Sequence, residues 1–101
     1  MSVFVIGRFP VSDVAQALAA LNQLGPLLDE ISGDSKKLGA IHHSFAAGEG
    51  AVVVIDEWDT AEHFQAFFGG NPKVEKVTSD IGVTGPPTME VLEKGEAPGT
   101  F

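Results

Sequence analysis

Residues 50–69, GAVVVIDEWDTAEHFQAFFG, contain the clearest strand and helix signals of this chain. The β-branched run at 51–55 is typical of a buried strand, and the polar residues after it end that strand. Asp59 or Thr60 can then cap a helix, and Glu62 stands three residues after Asp59, as in a capping box. The helix is amphipathic, because four apolar side chains recur at helical spacing: Ala61, Phe64, Phe67 and Phe68.

The composition of the chain limits its classes of partner. Its 101 residues suffice for one domain, and 14 acidic residues against 6 Lys and Arg give a net charge of −8. A nucleic-acid partner or an anionic membrane surface would require basic patches, so neither is expected. The absence of cysteine excludes disulfides, thiolate metal sites and a Cys nucleophile, and fits a cytoplasmic protein. The apolar run at 3–6 is too short for a signal peptide or a membrane span.

The N-terminal part predicts a strand at 3–9 and a helical region after it. Arg8 interrupts the apolar strand, either as a charge that reaches solvent or as an anchor for an anionic group at the mouth of a cleft. Ser12 or Asp13 caps the helical region, which Gly25-Pro26 divides or bends. Gly33 is expected to end it, with a polar loop at 34–37.

The rest of the chain predicts a hairpin, two helices and a last strand. The hairpin joins strands at 39–46 and 51–58 through a type II′ turn at Gly48-Glu49. After the short helix of the opening stretch, Asn71-Pro72 begins another one. Residues 82–87 form a linker and 88–92 the last strand, so we expect one domain at 1–94 and a loose tail at 95–101.

The order of these elements is that of an α+β, ferredoxin-like βαββαβ domain. Its four-stranded sheet carries helices on one face, and right-handed crossovers are expected to set the first and third strands side by side and parallel. Yet the strands at 3–6 and 51–55 are apolar at both odd and even positions. The face without helices must also be buried, and a second copy of the sheet is the simplest cover. We therefore expect a homodimer joined through its sheet faces.

The junction Glu57-Trp58-Asp59-Thr60-Ala61-Glu62, followed by Phe64, resembles that of the antibiotic biosynthesis monooxygenase family. The resemblance covers roughly residues 2–94 and implies the dimeric α/β barrel, in which two such sheets face each other. That superfamily includes cofactor-independent oxygenases of phenolic polyketides, haem-degrading enzymes, small isomerases and members without a known role. A shared fold does not choose among these activities.

The haem-degrading branch of the superfamily can be compared position by position. Its members use an Asn on the first strand, a Trp on the helix after the junction and a His further along. The corresponding positions here carry Gly7 and Arg8, then Phe67, then Val77. The resemblance therefore does not imply haem degradation.

Histidine is the candidate base. His42 and His43 are adjacent on a strand and point to opposite faces, so they cannot both bind one metal ion. With the turn at Gly48-Glu49, residue numbers of paired positions sum to 97, and His43 shares its face with Asp56 and Trp58. A bulge or a loop of odd length would exchange the faces of His42 and His43. In this interpretation His43 is a general base, Asp56 orients it and Trp58 is an apolar wall. The alternative is a histidine hydrogen-bonded at a dimer interface.

Together with these features, the resemblance implies a small-molecule oxygenase-like protein that acts without a cofactor or a metal. A planar aromatic or phenolic substrate would lie between sheet and helices, with Trp58, His42 and Arg8 as its contacts and His43 and Asp56 as the catalytic pair. The chain has no tyrosine, which excludes the Tyr acid or base of some relatives. The alternatives are a non-catalytic dimeric ligand-binding or regulatory module, and a small isomerase or lyase.

Overall fold

The computed structural model describes residues Met1–Phe101. Four strands and four helices follow one another in this order: β1 Val3–Pro10, α1 Val14–Gln23, α2 Gly25–Leu38, β2 Ala40–Gly48, β3 Ala51–Trp58, α3 Ala61–Phe68, α4 Pro72–Asp80 and β4 Thr88–Glu93. The predicted strands and helices all form. The expected domain limit at residue 94 stays a prediction. No helix has the length and apolar character needed to cross a membrane.

The four strands form one sheet in the order β2-β3-β1-β4, and every neighbouring pair is antiparallel. This confirms the ferredoxin-like α+β fold and the adjacency of the first and third strands. The expectation that these two strands are parallel was wrong. The crossover through α1 and α2 makes β1 parallel to β2, and the tight hairpin then reverses β3, which lies between them. In one chain the sheet is open and does not close into a barrel.

The helical region after β1 consists of two helices, and Pro26 lies in the first turn of the second. The prediction that Gly33 ends it was wrong, because α2 continues to Leu38 and includes the expected loop at 34–37. The helix ends at Gly39, whose φ of 124° favours glycine. The Gly39 N–H donates to the carbonyls of Ser35 and Lys36. A side chain at this position would also collide with the carboxylate of Asp59.

Three of the helices begin with side-chain caps. The Asp13 carboxylate accepts from the Gln16 N–H at 3.0 Å, and the Asn71 side chain caps α4 ahead of Pro72, as predicted. On α3 the cap is Thr60, which accepts from the N–H of His63 at 3.1 Å. The expected box between Asp59 and Glu62 therefore does not form.

The β2–β3 hairpin turns one residue later than the sequence suggested, which moves the partner of each paired residue by two positions. Gly48 pairs with Ala51, so the loop is Glu49-Gly50, and Gly50 takes a positive φ of 66°. The predicted type II′ turn, with Gly48 in the first loop position, does not form. Since side chains alternate with a period of two, a shift of two residues leaves each side chain on its predicted face.

All helices lie on one face of the sheet, as expected. Val3, Val5 and Phe9 of β1 are buried on that face. The alternating residues of the sheet form the opposite face, which we call the uncovered face. Its apolar side chains include Phe4, Ile6, Ile55 and Leu92, and the last two are 44% and 40% exposed.

Candidate functional site

A partly enclosed cavity of about 210 Å³ lies between the sheet and the helices. Of the 24 residues that line it, 17 are hydrophobic, and all four strands and all four helices contribute. An apolar cavity of roughly 150 Å³ is enough to bind benzene. The cavity therefore has room for an aromatic ring system somewhat larger than one ring.

Three polar side chains form a hydrogen-bonded chain in the sheet wall of this cavity. His43 and Asp56 are directly opposite each other on β2 and β3, and Trp58 follows two residues later on the same face. Nδ1 of His43 lies 2.6 Å from Oδ1 of Asp56. The indole N–H of Trp58 donates to the other oxygen, Oδ2, at 3.2 Å. The buried carboxylate thus has a partner for each oxygen, as a buried charge requires.

The geometry assigns different tasks to the two imidazole nitrogens of His43. When Nδ1 carries the proton, it donates to Asp56, and Nε2 is left as an acceptor. The His43 side chain is 38% exposed, against 11% for Asp56. A neutral imidazole in this position can take a proton at Nε2, and the carboxylate of Asp56 can stabilise the positive charge that results.

Aromatic rings surround this chain of hydrogen bonds. The Trp58 ring packs on Phe64 and Phe67, with centroids 5.8 and 5.3 Å away. The His43 ring meets Phe45 edge to face at 4.6 Å. Phe68 also lines the cavity, and the centroid of its ring is 6.4 Å from that of Phe9. These rings are flat apolar surfaces on which an aromatic ligand can stack.

The structure brings together three of the five predicted site residues, and all three line the cavity: His43, Asp56 and Trp58. Arg8 and His42 lie on the uncovered face, where Arg8 is opposite Val53 and His42 is opposite Glu57. They do not line this cavity.

Sequence reasoning missed the polar side chains that α2 contributes to the cavity, Asp29, Ser32 and Ser35. Their three-residue spacing was visible in the sequence. The spacing did not indicate a shared helix face, because the helix was expected to end at Gly33 and Ser35 then fell in a loop. Phe67 and Phe68, expected to be core residues, also line the cavity.

Other polar contacts lie outside the cavity. On the uncovered face Glu57 accepts from the hydroxyl of Ser2 at 2.7 Å and lies 3.3 Å from Nζ of Lys94, and these contacts hold its pKa below the usual 4.5. At the start of α3, Nδ1 of His63 lies 2.8 Å from Asp59. That hydrogen bond lowers the pKa of Asp59. No group of three or more His, Asp or Glu side chains is arranged to hold a metal ion.

No protein-family profile and no curated protein sequence matches this chain. Solved structures do match it. A monooxygenase from Streptomyces coelicolor, solved with the ligand nanaomycin D, is 21% identical and has a TM-score of 0.67; the match covers 98% of this chain and 92% of that one. A cofactor-independent oxygenase from Streptomyces nogalater is 10% identical, with a TM-score of 0.64 and 98% of both chains covered.

A third similar structure is a dimeric ferredoxin-like protein from an uncultured marine organism, 13% identical with a TM-score of 0.66, over 98% of this chain and 93% of that one. At these identities the likeness shows a shared fold. The chain thus has the fold of the antibiotic biosynthesis monooxygenases, which confirms the fold that the resemblance at residues 57–64 implied.

Proposed function

We propose that this chain, which has the antibiotic biosynthesis monooxygenase fold, oxygenates a phenolic aromatic molecule in the cavity between sheet and helices, without a cofactor. The observation that carries the proposal is the pair His43–Asp56 at the wall of an apolar cavity. A base held in one orientation inside an apolar space is what deprotonation of a phenol requires.

His43 is the base in this proposal. Its Nε2 takes the proton of the phenolic hydroxyl, and Asp56 stabilises the imidazolium that forms, as carboxylates do beside catalytic histidines. Trp58 keeps the carboxylate in place through its indole N–H. The other ionisable groups that line the cavity are carboxylates, Asp29 and Asp56, so His43 is its only imidazole.

The phenolate is electron-rich and reacts with dioxygen directly. When a phenol becomes a quinone, one oxygen atom of O2 is bonded to the ring carbon. The other leaves as water, with the hydrogens lost from that carbon and from the hydroxyl. The substrate supplies all the electrons, and no external reductant is needed. The apolar walls hold the ring and keep bulk water away from the anion.

Two solved structures of the same fold support this proposal. One is described as a cofactor-independent oxygenase, and the other is a monooxygenase that holds nanaomycin D. This chain differs in having no tyrosine, so acid–base chemistry at its cavity falls to His43.

The proposal includes a homodimer joined through the uncovered faces. Phe4, Ile6, Ile55 and Leu92 form an apolar surface at the centre of that face, and a soluble monomer rarely exposes such a patch. A second copy would bury it on both sides. The dimeric ferredoxin-like protein of the same fold supports this assembly.

Oxygen uptake tests the proposed activity. The purified protein is mixed with a panel of naphthols and naphthalene hydroquinones in isotopically labelled dioxygen, beside blanks without protein that measure autoxidation. We expect faster uptake than in the blanks, and a product that contains one labelled oxygen atom.

His43→Ala should lower this rate by about a hundredfold or more, because a positioned base contributes 10²–10⁴. His42→Ala is the matched control on the opposite face and should keep the rate. Tight binding of the aromatic without any uptake would contradict the oxygenase and indicate a ligand-binding module. An equal loss in both variants would contradict the role of His43.

A further inference from the structure

Three polar side chains of α2 form the helix side of the cavity. Asp29, Ser32 and Ser35 recur every three residues and so share one side of the helix. Asp29 is exposed, Ser32 is half-buried and Ser35 is only 8% exposed, so the row leads from solvent into the protein. We call these three residues the α2 polar row.

Two members of the α2 polar row are free to bind a ligand. The hydroxyl of Ser35 donates to the carbonyl of Ser32 at 2.8 Å. By contrast, the Ser32 hydroxyl and the Asp29 carboxylate take part in none of the side-chain hydrogen bonds or ion pairs of the structure. Polar groups that line an apolar cavity without a partner are the groups that orient a ligand.

No Lys or Arg side chain lines the cavity. The six basic residues of the chain all lie outside it: Arg8, Lys36, Lys37, Lys73, Lys76 and Lys94. Lys73, which contacts the outer side of α2, is held by Glu30 at 2.8 Å and Asp34 at 2.6 Å. The ionisable groups that line the cavity are therefore two carboxylates and one imidazole.

We infer that the cavity accepts uncharged, polyhydroxylated aromatic molecules and rejects aromatic carboxylates. This rests on the proposed function, which places the reacting hydroxyl at His43. A carboxylate would lose its hydration on entering an apolar cavity and would find no Lys or Arg there as a partner. It would also be repelled by the buried carboxylate of Asp56, and less strongly by Asp29, whose charge lies at the solvent end of the cavity. A hydroxyl, in contrast, can donate to Asp29 or Ser32.

The two polar walls define the shape of the ligand further. His43 is on the sheet and the α2 polar row is on the helix layer, so polar groups meet the ligand from two sides. The aromatic side chains Trp58, Phe67 and Phe68 supply apolar surface for the ring system. The matching molecule is a flat ring system with hydroxyl or carbonyl groups on opposite edges.

Trp58 provides a binding signal that does not depend on turnover. It is the only tryptophan, it is 1% exposed and it lines the cavity, so its fluorescence reports occupancy. The three probes are naphthohydroquinone, its ring carboxylic acid and the methyl ester of that acid, titrated without oxygen. Acid and ester have nearly the same bulk and differ in charge. We expect the ester to bind at least tenfold more tightly than the acid.

Substitution of Asp29 tests the origin of this preference. Asp29→Asn should bring the affinities for ester and acid closer together. Asp29→Lys should make the acid bind more tightly than the ester, because it supplies the missing cation. Glu49→Gln removes the same charge from the β2–β3 loop, outside the cavity, and should leave the ratio unchanged.

The outcomes separate this inference from the proposed activity. If the ester binds more tightly than the acid but causes no oxygen uptake when dioxygen is supplied, the inference is supported and the oxygenase is contradicted. Equal affinities for acid and ester overturn the inference. It is also overturned if Glu49→Gln changes the ratio of these affinities as much as Asp29→Asn does. If none of the three probes binds, the inference and the proposed function both fail.

Discussion

Nδ1 of His43 lies 2.6 Å from Oδ1 of Asp56, and the two residues are directly opposite each other in the β2–β3 hairpin. The backbone pairing of the hairpin thus sets the position of both side chains. The second carboxylate oxygen accepts from Trp58, so the carboxylate cannot turn away from His43 without losing a hydrogen bond. This arrangement fixes the imidazole ring and leaves Nε2 for a substrate.

Asp56→Asn should lower kcat for any phenolic substrate by at least about tenfold, with little change in KM. The amide has the shape of the carboxylate but no charge, so it cannot stabilise an imidazolium. Steady-state oxygen uptake measures both constants. Trp58→Phe is the companion variant, since it keeps an aromatic ring but loses the indole N–H, and should have a smaller effect on kcat. A rise in KM at unchanged kcat would mean that Asp56 only helps to hold the ligand.

The uncovered face should hold the protein as a homodimer of twice 10.6 kDa. An interface on the order of 1,500 Å² is enough for a stable dimer. Ile55, which is 44% exposed there, should not tolerate a charge, so Ile55→Lys should give monomers in light scattering. The melting temperature of the unmodified protein should rise with protein concentration, because unfolding is coupled to dissociation.

A matched control for the dimer lies on β4. Val91 is 40% exposed, close to the value for Ile55, but its side chain is on the helix face, opposite Val5. Val91→Lys should therefore remain dimeric. A monomer of 10.6 kDa with a melting temperature independent of concentration would rule out the dimer.

Two glycines of the α2 region should respond to alanine in opposite ways. Gly33 lies inside the helix with open space where a side chain would be, so Gly33→Ala should stabilise the protein by about 0.5–1 kcal/mol. Gly39 has a positive φ, and a side chain there would meet Asp59, so Gly39→Ala should destabilise by about 1–3 kcal/mol or more. Urea unfolding measures both. Equal effects of the same sign would contradict the end of α2 at Leu38.

Glu57 should make the stability depend on pH in the acidic range. The Ser2 hydroxyl and Lys94 hold its pKa below 4.5 in the folded state, so the unfolded chain binds this proton more readily. The stabilisation is therefore complete above about pH 4.5 and is lost as the pH falls through the folded-state pKa. Glu57→Gln should lower the melting temperature at pH 7, and the difference should shrink at about pH 3.

Glu96→Gln, in the exposed C-terminal segment, is the control for general charge effects. It should leave the melting temperature nearly unchanged at both pH values. Glu57→Gln could instead lower the melting temperature by the same amount at both pH values. That result would show that Glu57 does not act through its charge.

The strands, most helix starts and the two faces of the sheet follow from the amino-acid sequence alone. Periodicity and caps are local, so Asp13 and Asn71 could be identified from their neighbours alone. The alternation of a strand has a period of two. It put His43 on the face of Asp56 even though the predicted turn was one residue too early, because the pairing then shifts by two residues.

Features that depend on residues far apart in the chain follow only from the packing of the folded protein. The end of α2 is at Gly39 and not at Gly33, because the chain must pass Asp59 there with a positive φ. β3 is antiparallel to β1 because the crossover makes β2 parallel to β1 and the hairpin then reverses the chain. The cavity and its α2 polar row exist only because the helices pack over the sheet, and that packing joins His43 on β2 to Ser35 on α2 in one site.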